Sequence, residues 1–261
     1  MTEPEERKEM LDEIAGMCKT IRLTSSIPDY CHEKATDDQL QFMGMALQQE
    51  IRQRDKNRIE RLKKRARFPL YKTFDNYDFS YAKLPPLLTR EEIINVEFIP
   101  RKQNLILYGG VGLGKTHMAI AAGMNACMKG YKVRFYTVTE LVLRLSEARK
   151  NGTLERVRRD LRNQDLLILD EWGYVPVDRD GSQLLFQVIS DSYENKSLIL
   201  TTNIEFSKWG GIFTDEQMAA AMIDRLVHHG HLILFEGTSY RMEHALMNQT
   251  ARQPSDTESM L

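Results

Sequence analysis

Cysteine is scarce in this chain of 261 residues: only Cys18, Cys31 and Cys127, far apart and odd in number. They form no C-x-x-C pair, which excludes a disulfide-stapled fold and a cysteine-built metal or redox motif, and fits buried thiols in a reducing compartment. Long apolar runs are missing as well. None approaches the roughly 18–20 residues that a membrane-spanning helix needs, and the acidic start Met1-Thr2-Glu3-Pro4-Glu5-Glu6 leads into no apolar core of the kind a secretion signal carries. A soluble, cytoplasmic protein without membrane contact is the expectation. Excess charge of one sign is also lacking, since 36 Lys and Arg face 37 Asp and Glu for a net charge of -1. Any attraction to a polyanion must therefore come from local patches. There is no internal repeat.

Two such patches exist. From Arg52 to Lys72 ten Lys or Arg stand against Asp55 and Glu60, about +8, and from Arg144 to Arg162 seven stand against three acids, about +4. A solvated helix face explains such runs; so does a nucleic-acid or, for the first run, a partner-binding surface, and Arg58, Arg61, Lys63, Lys64, Arg65, Arg149, Lys150, Arg156, Arg158 and Arg159 are the candidates for DNA contact. The first patch closes a helical region, residues 1–67. Met10, Leu11, Ile14 and Met17-Cys18 recur at helical spacing, as do Leu40, Met43, Leu47 and Ile51, with Ser25-Ser26-Ile27-Pro28-Asp29 between them as a turn. Phe68-Pro69 ends it. A connector, 68–103, follows, whose Phe74, Tyr77, Phe79 and Tyr81 are too apolar for a free linker; Ile93 to Phe98 reads as a helix leading to the first strand.

From residue 104 strand and helix alternate, the pattern of a parallel sheet covered on both faces. The strands are Asn104–Tyr108, Val133–Tyr136, Leu166–Leu169, Leu198–Leu200 and Leu232–Phe235, with helices at 139–150, 154–162 and 181–194. This domain spans 104–248, and a disordered tail, 249–261, follows. After the first strand comes Gly109-Gly110-Val111-Gly112-Leu113-Gly114-Lys115-Thr116, which fits the phosphate-binding pattern G-x-x-x-x-G-K-[ST] at every fixed position. Glycines allow the tight turn that points backbone N–H groups and a helix N-terminus at phosphate oxygens; Lys115 reaches the β- and γ-phosphates and Thr116 ligates Mg²⁺. A nucleoside triphosphate site follows.

The third strand ends in Asp170-Glu171, the Walker B arrangement: Asp170 on the Mg²⁺ side, Glu171 placed to polarise the attacking water. The fourth ends in Thr201-Thr202-Asn203, where Asn203 is the residue to orient that water. Arg225 and Arg241 flank the last strand; from the residues alone each is either a surface salt-bridge partner or the cation for the γ-phosphate oxygens. His228-His229-Gly230-His231 invites a metal reading, but no Cys or further His lies at ligand spacing. Asn195-Lys196-Ser197-Leu198 lacks the Asp of a guanine-reading motif, which leaves ATP as the nucleotide.

These residues resemble the IstB-type transposition helper ATPases of the DnaA/DnaC-like branch of the AAA+ superfamily. The resemblance runs from about Phe68 to Arg241 through Lys72-Thr73-Phe74-Asp75, Gly109 to His117, Asp165 to Pro176, Gly181 to Gln187, Tyr193-Glu194, Thr201-Thr202-Asn203, Phe206 with Trp209, Ile223 to His229, and Gly237 to Arg241. It implies an α/β fold: a P-loop AAA+ domain whose five-stranded parallel sheet has the order 5-1-4-3-2, flanked by helices and preceded by a small all-helical N-terminal domain. It implies that Gly109 to His117 line the nucleotide, that Asn203 is sensor 1, Arg225 an arginine finger acting in trans and Arg241 sensor 2, and that His228-His229 is structural. Trp172 stands where the family would have an aliphatic residue. Only about two dozen residues follow Phe235, too few for the helical lid of most AAA+ proteins.

The resemblance further implies an ATPase using ATP and Mg²⁺ that assembles as a head-to-tail homo-oligomer on duplex DNA with weak sequence preference, prepares or bends a target site and recruits a cognate IstA-type transposase. A helicase loader in the style of DnaC shares the motor and is the alternative; the matches from Tyr193 to Trp209 favour the helper. A small-molecule kinase would need a substrate lid, and none is visible.

Overall fold

The computed structural model describes residues 3–173, 178–213 and 215–243; the expected tail, 249–261, and the end of the expected ATPase domain lie outside them. The chain forms two compact units, Met1–Arg61 and Leu62–Leu261.

The first unit holds α1 (Glu3–Thr20), α2 (Ser26–Lys34) and most of α3 (Asp37–Ala66). Its core is Ile14, Cys18, Ile21, Cys31, Leu40 and Leu47, and the Arg54 guanidinium donates at 2.8 Å to the Ile21 carbonyl just past α1. The stretch 25–29 expected as a turn instead opens α2. Pro28 is the third residue of that helix, where its missing N–H has no intrahelical carbonyl to reach.

The second unit is built on a sheet. In chain order it contains β1 (Ala82–Lys83), α4 (Arg90–Ile94), β2 (Asn104–Gly109), α5 (Lys115–Met128), β3 (Val133–Thr137), α6 (Val138–Lys150), α7 (Leu154–Arg162), β4 (Leu166–Trp172), α8 (Arg179–Ser192), β5 (Ser197–Thr202), α9 (Trp209–Ile212), α10 (Glu216–His228), β6 (Gly230–Phe235) and α11 (Tyr240–Glu243). The strands lie in the order β1-β6-β2-β5-β4-β3. The five parallel ones follow the expected 5-1-4-3-2. The sixth, β1, is an addition: two residues pair antiparallel with β6, Ala82 opposite Phe235 and Lys83 opposite Leu234, too short to leave a pattern in the sequence.

Central strands buried on both faces need unbroken apolar side chains, and Leu105, Ile106, Leu107, Leu166, Leu167, Ile168 and Leu169 are at most 1% exposed. One face packs on α4 and α5 together with the connector's Phe74, Tyr77 and Phe79; the other packs on α6, α8, α9 and α10. Polar caps fix where the helices begin: a Thr137–Glu140 capping box starts α6, Asp178 caps α8 and Asp215 caps α10. The helix expected through Phe98 stops at Ile94, since Val96 takes a positive φ of 51°.

Candidate functional site

β2 ends at Gly109 and α5 begins at Lys115, so the loop between them delivers a helix N-terminus to the carboxyl end of the sheet. Two glycines are sterically required. A Cβ on Gly109 (φ +149°) would stand 2.2 Å from the Phe235 carbonyl oxygen, and one on Gly112 (φ +82°) 2.2 Å from Ser239 Oγ. Lys115 Nζ lies within the loop, donating to the carbonyls of Gly109 at 2.7 Å and Gly110 at 2.5 Å. Burial pushes its pKa down to about 8; Asp170 opposes that shift and Arg241, on α11, adds to it. Val111 is exposed and Leu113 buried.

Asp170 is 4% exposed. Thr116 Oγ1 donates to its two oxygens at 2.9 and 3.2 Å, and Thr201 Oγ1 donates at 2.5 Å. Thr201 Oγ1 also accepts from the Glu171 N–H at 3.0 Å. One buried hydroxyl from β5 therefore holds both acidic residues of β4. That role escaped sequence reasoning, although a threonine ending an otherwise apolar strand was the available signal.

Asp170 and Glu171 part company through a bulge. The β4–β5 register shifts between Leu169 and Trp172, and Glu171 takes φ +61°, a left-handed conformation that costs a non-glycine residue about 1–3 kcal/mol and collects at functional sites. The far side is anchored. Trp172, fully buried where an aliphatic residue was expected, packs against Trp209 and Phe213 with ring centroids 5.1 and 5.4 Å away, and its carbonyl accepts from Thr202 Oγ1 at 2.9 Å. Consequently the Glu171 carboxylate faces solvent beside a buried Asp170.

The remaining candidates divide. Asn203 is exposed immediately past β5. Arg225 sits on α10 with its guanidinium 4.9 Å over the Phe186 ring and donates at 2.9 Å to the Ala221 carbonyl. The His117 ring faces the connector: Nε2 is 2.8 Å from the Thr73 carbonyl and the ring meets Tyr77 at 4.9 Å, so it fastens the connector to α5. Tyr77, whose hydroxyl donates to the Gly114 carbonyl at 3.3 Å, was read only as packing. Lys196 of the incomplete guanine motif is buried, donates to the Leu161 carbonyl, and has its pKa pushed down to about 8 by that burial.

Among the basic candidates Arg58, Arg61, Lys64 and Arg65 are exposed on α3, with Lys63 half-buried; Arg149 and Lys150 are exposed on α6, and Arg156 and Arg159 on α7. Arg158 is half-buried on the same helix. Its guanidinium is held by Asp191 at 2.9–3.2 Å and by Glu155 at 2.9 Å, which leaves it no free fork for a phosphate. Arg149 is 3.4 Å from Asp180, both exposed. Arg134, on the edge strand β3, donates to the Arg65 carbonyl at the end of α3 and to Asp160 of α7.

Residues 19–248 match the family model described as IstB-like ATP binding protein. The chain belongs to this family. An ATP-binding protein of insertion sequence IS21 from Pseudomonas aeruginosa is 38% identical over 203 residues, 78% of this chain and 77% of that one. The counterpart from IS5376 of Geobacillus stearothermophilus is 39% identical over 202 residues, 77% and 80%. Among solved structures, the fold resembles the DnaC helicase loader (TM-score 0.50, 21% identity, 63% of this chain and 96% of that one) and DnaI (0.51, 18%, 69% and 100%). ATP binding is thus the family's property, on an α/β fold that resembles those two loader structures. No described helix is long and apolar enough to cross a membrane.

Proposed function

We propose that the chain is the ATP-hydrolysing, DNA-binding helper of an insertion sequence, assembling head-to-tail on duplex DNA with weak sequence preference, shaping the target and recruiting an IstA-type transposase. The observation that carries the reading is the pair of acidic residues at the end of β4: Asp170 buried and clamped by Thr116 and Thr201, Glu171 turned out by the bulge. A nucleotide store would need the first and not the second.

In this reading loop N–H groups, the α5 N-terminus and Lys115 bind the phosphates, with Gly109, Gly110, Val111, Gly112, Leu113, Gly114, Thr116 and His117 as the cradle. Thr116 Oγ1 and the Asp170 carboxylate, 2.9 Å apart, form an all-oxygen donor pair that would hold Mg²⁺ together with nucleotide phosphates, and the ion would supply neutralisation of phosphate charge. Glu171 takes a proton from the attacking water, Asn203 orients that water, and Arg241 reads the subunit's own nucleotide. Arg225 reaches the γ-phosphate of the neighbouring subunit. The exposed cations of α3, α6 and α7 meet DNA phosphates, Arg156 and Arg159 among them. A helicase loader would use the same fold; membership in an insertion-sequence family favours the helper.

The test is a titration of labelled duplex at several salt concentrations, with and without a non-hydrolysable ATP analogue. Binding should be cooperative, tighter with nucleotide and steeply salt-dependent. Affinity indifferent to both salt and nucleotide would sink the proposal.

A further inference from the structure

The histidine pair, with no Cys or further His at ligand spacing in its own stretch of sequence, meets a carboxylate from 35 residues away. Glu194, in the turn between α8 and β5, and His228 and His229, at the end of α10, each offer a ligand atom within 4.8 Å of the other two. His229 Nε2 stands 3.3 Å from Glu194 Oε1. Ligand atoms on a tetrahedral zinc with bonds of about 2.0–2.1 Å lie about 3.3–3.4 Å apart, so this pair already spans one edge of such a site. Glu194 holds φ +56°, a strained turn conformation for a glutamate. The imidazole rings lie 4.2 Å apart.

A ligating imidazole is normally oriented through its other nitrogen. Here His228 Nδ1 is 2.8 Å from the Tyr193 hydroxyl, so Tyr193 is the group that fixes this ring. His231, third histidine of the sequence cluster, takes no part: half-buried on β6, it has Glu92 and Arg101 as charged neighbours. Two imidazoles and one carboxylate suit a cation of the zinc class better than Mg²⁺ or Ca²⁺, which take oxygen donors.

We propose that Glu194, His228 and His229 bind a divalent transition cation of the zinc class, oriented by Tyr193, with further coordination open to water or an outside ligand. The site is independent of the nucleotide reading. Occupancy would tie the 193–194 turn to the end of α10, the helix on which Arg225 lies one turn earlier, and so stiffen it.

Zinc titrated calorimetrically into the full chain, first stripped with a chelator, should bind saturably at one equivalent and raise the melting temperature. His229→Ala and Glu194→Gln should each abolish that binding, Tyr193→Phe should weaken it about tenfold or more, and His231→Ala should leave it intact. X-ray absorption at the zinc edge of the loaded wild-type protein, which needs no variant, should give two imidazoles among nitrogen and oxygen donors. Absence of saturable binding, binding unchanged in both ligand variants, or sulfur in the coordination sphere would each overturn the proposal.

Discussion

The nucleotide loop and the basic faces use charge in opposite ways. Around Asp170 the polar groups are few, buried and mutually bonded: Thr116, Thr201 and the Glu171 N–H share one small network. Along α3 and α7 the cations are many and exposed, and only some, such as Arg158 and Arg162, are tied down. A buried network fails when one member is removed, because its partner is left desolvated and unpaired. An exposed array weakens by one screened interaction at a time. Substitutions in the first region should therefore act singly and strongly, those in the second collectively and weakly.

The sharpest break would come at Arg225, which is bound to neither region. If it serves a neighbouring subunit, Arg225→Ala should bind ATP normally and lose about 10³-fold in hydrolysis, the scale of a missing arginine finger. Mixing it with Lys115→Ala, which should bind ATP at least about 100-fold more weakly for want of the charge-assisted phosphate contact, should restore some activity, since each variant completes a site the other lacks. Arg241→Ala should show no such rescue. Identical behaviour of the two arginine variants in mixed assays would remove the distinction.

Glu171→Gln comes next. The bulge exposes this carboxylate while Thr201 holds its backbone, so the amide should keep the loop and the Asp170 network and lose only the base. Hydrolysis should fall about 10²–10³-fold with ATP affinity unchanged; turnover at the wild-type rate would take the base assignment away from Glu171.

A smaller effect follows from Lys115. Its pKa, lowered by burial to about 8 from the ordinary 10.5, means that the nucleotide-free protein loses this charge above pH 8 and must regain it to bind phosphate. ATP affinity should fall by up to about tenfold per pH unit above 8. Stability moves the other way. Between pH 8 and 10.5 the unfolded chain holds more protons at Lys115, and at Lys196 whose pKa is also about 8, so these two groups favour the folded state increasingly as pH rises through that window. Affinity that stays flat from pH 7 to 9.5 would show that the lysine remains charged throughout.

The two regions also differed in how far they could be read from residue order. The phosphate loop, its strand and helix, and the Asp-Glu after β4 are local patterns whose spacing is dictated by the chemistry, so Gly109 to Thr116 and Asp170 assemble as their positions suggested. What stayed hidden depends on pairings across long separations or on very short elements. The two residues of β1 have no period to detect. The bulge at Glu171 is a mismatch with β5, invisible in β4 alone. Arg158 looks like any other arginine of its helix until Asp191 is brought beside it, and the hold of the His117 ring on Thr73 is likewise a contact between distant stretches. Pro28, taken for a break, only marks a helix's first turn.

The smallest effect sets Arg158 against its own helix neighbours. Arg156 and Arg159 are exposed on α7, and each cation withdrawn from the duplex phosphates should lower the slope of log affinity against log salt by about 0.9. Arg156→Glu and Arg159→Glu together should thus flatten the slope while the melting temperature stays within a degree or two, since substitutions of exposed residues without partners act within about 0.5 kcal/mol. Arg158→Ala should do the reverse. Its fork joins Glu155 and Asp191, linking α7 to α8 with side chains 21%, 65% and 25% exposed, and solvent screening keeps such a network to about 0.5–1.5 kcal/mol. Its removal should lower the melting temperature by a few degrees and leave the salt slope nearly unchanged. A slope that drops as much for Arg158→Ala as for the double reversal would mean that DNA pulls Arg158 away from Asp191, and the line between buried network and exposed array would have to be redrawn through this helix.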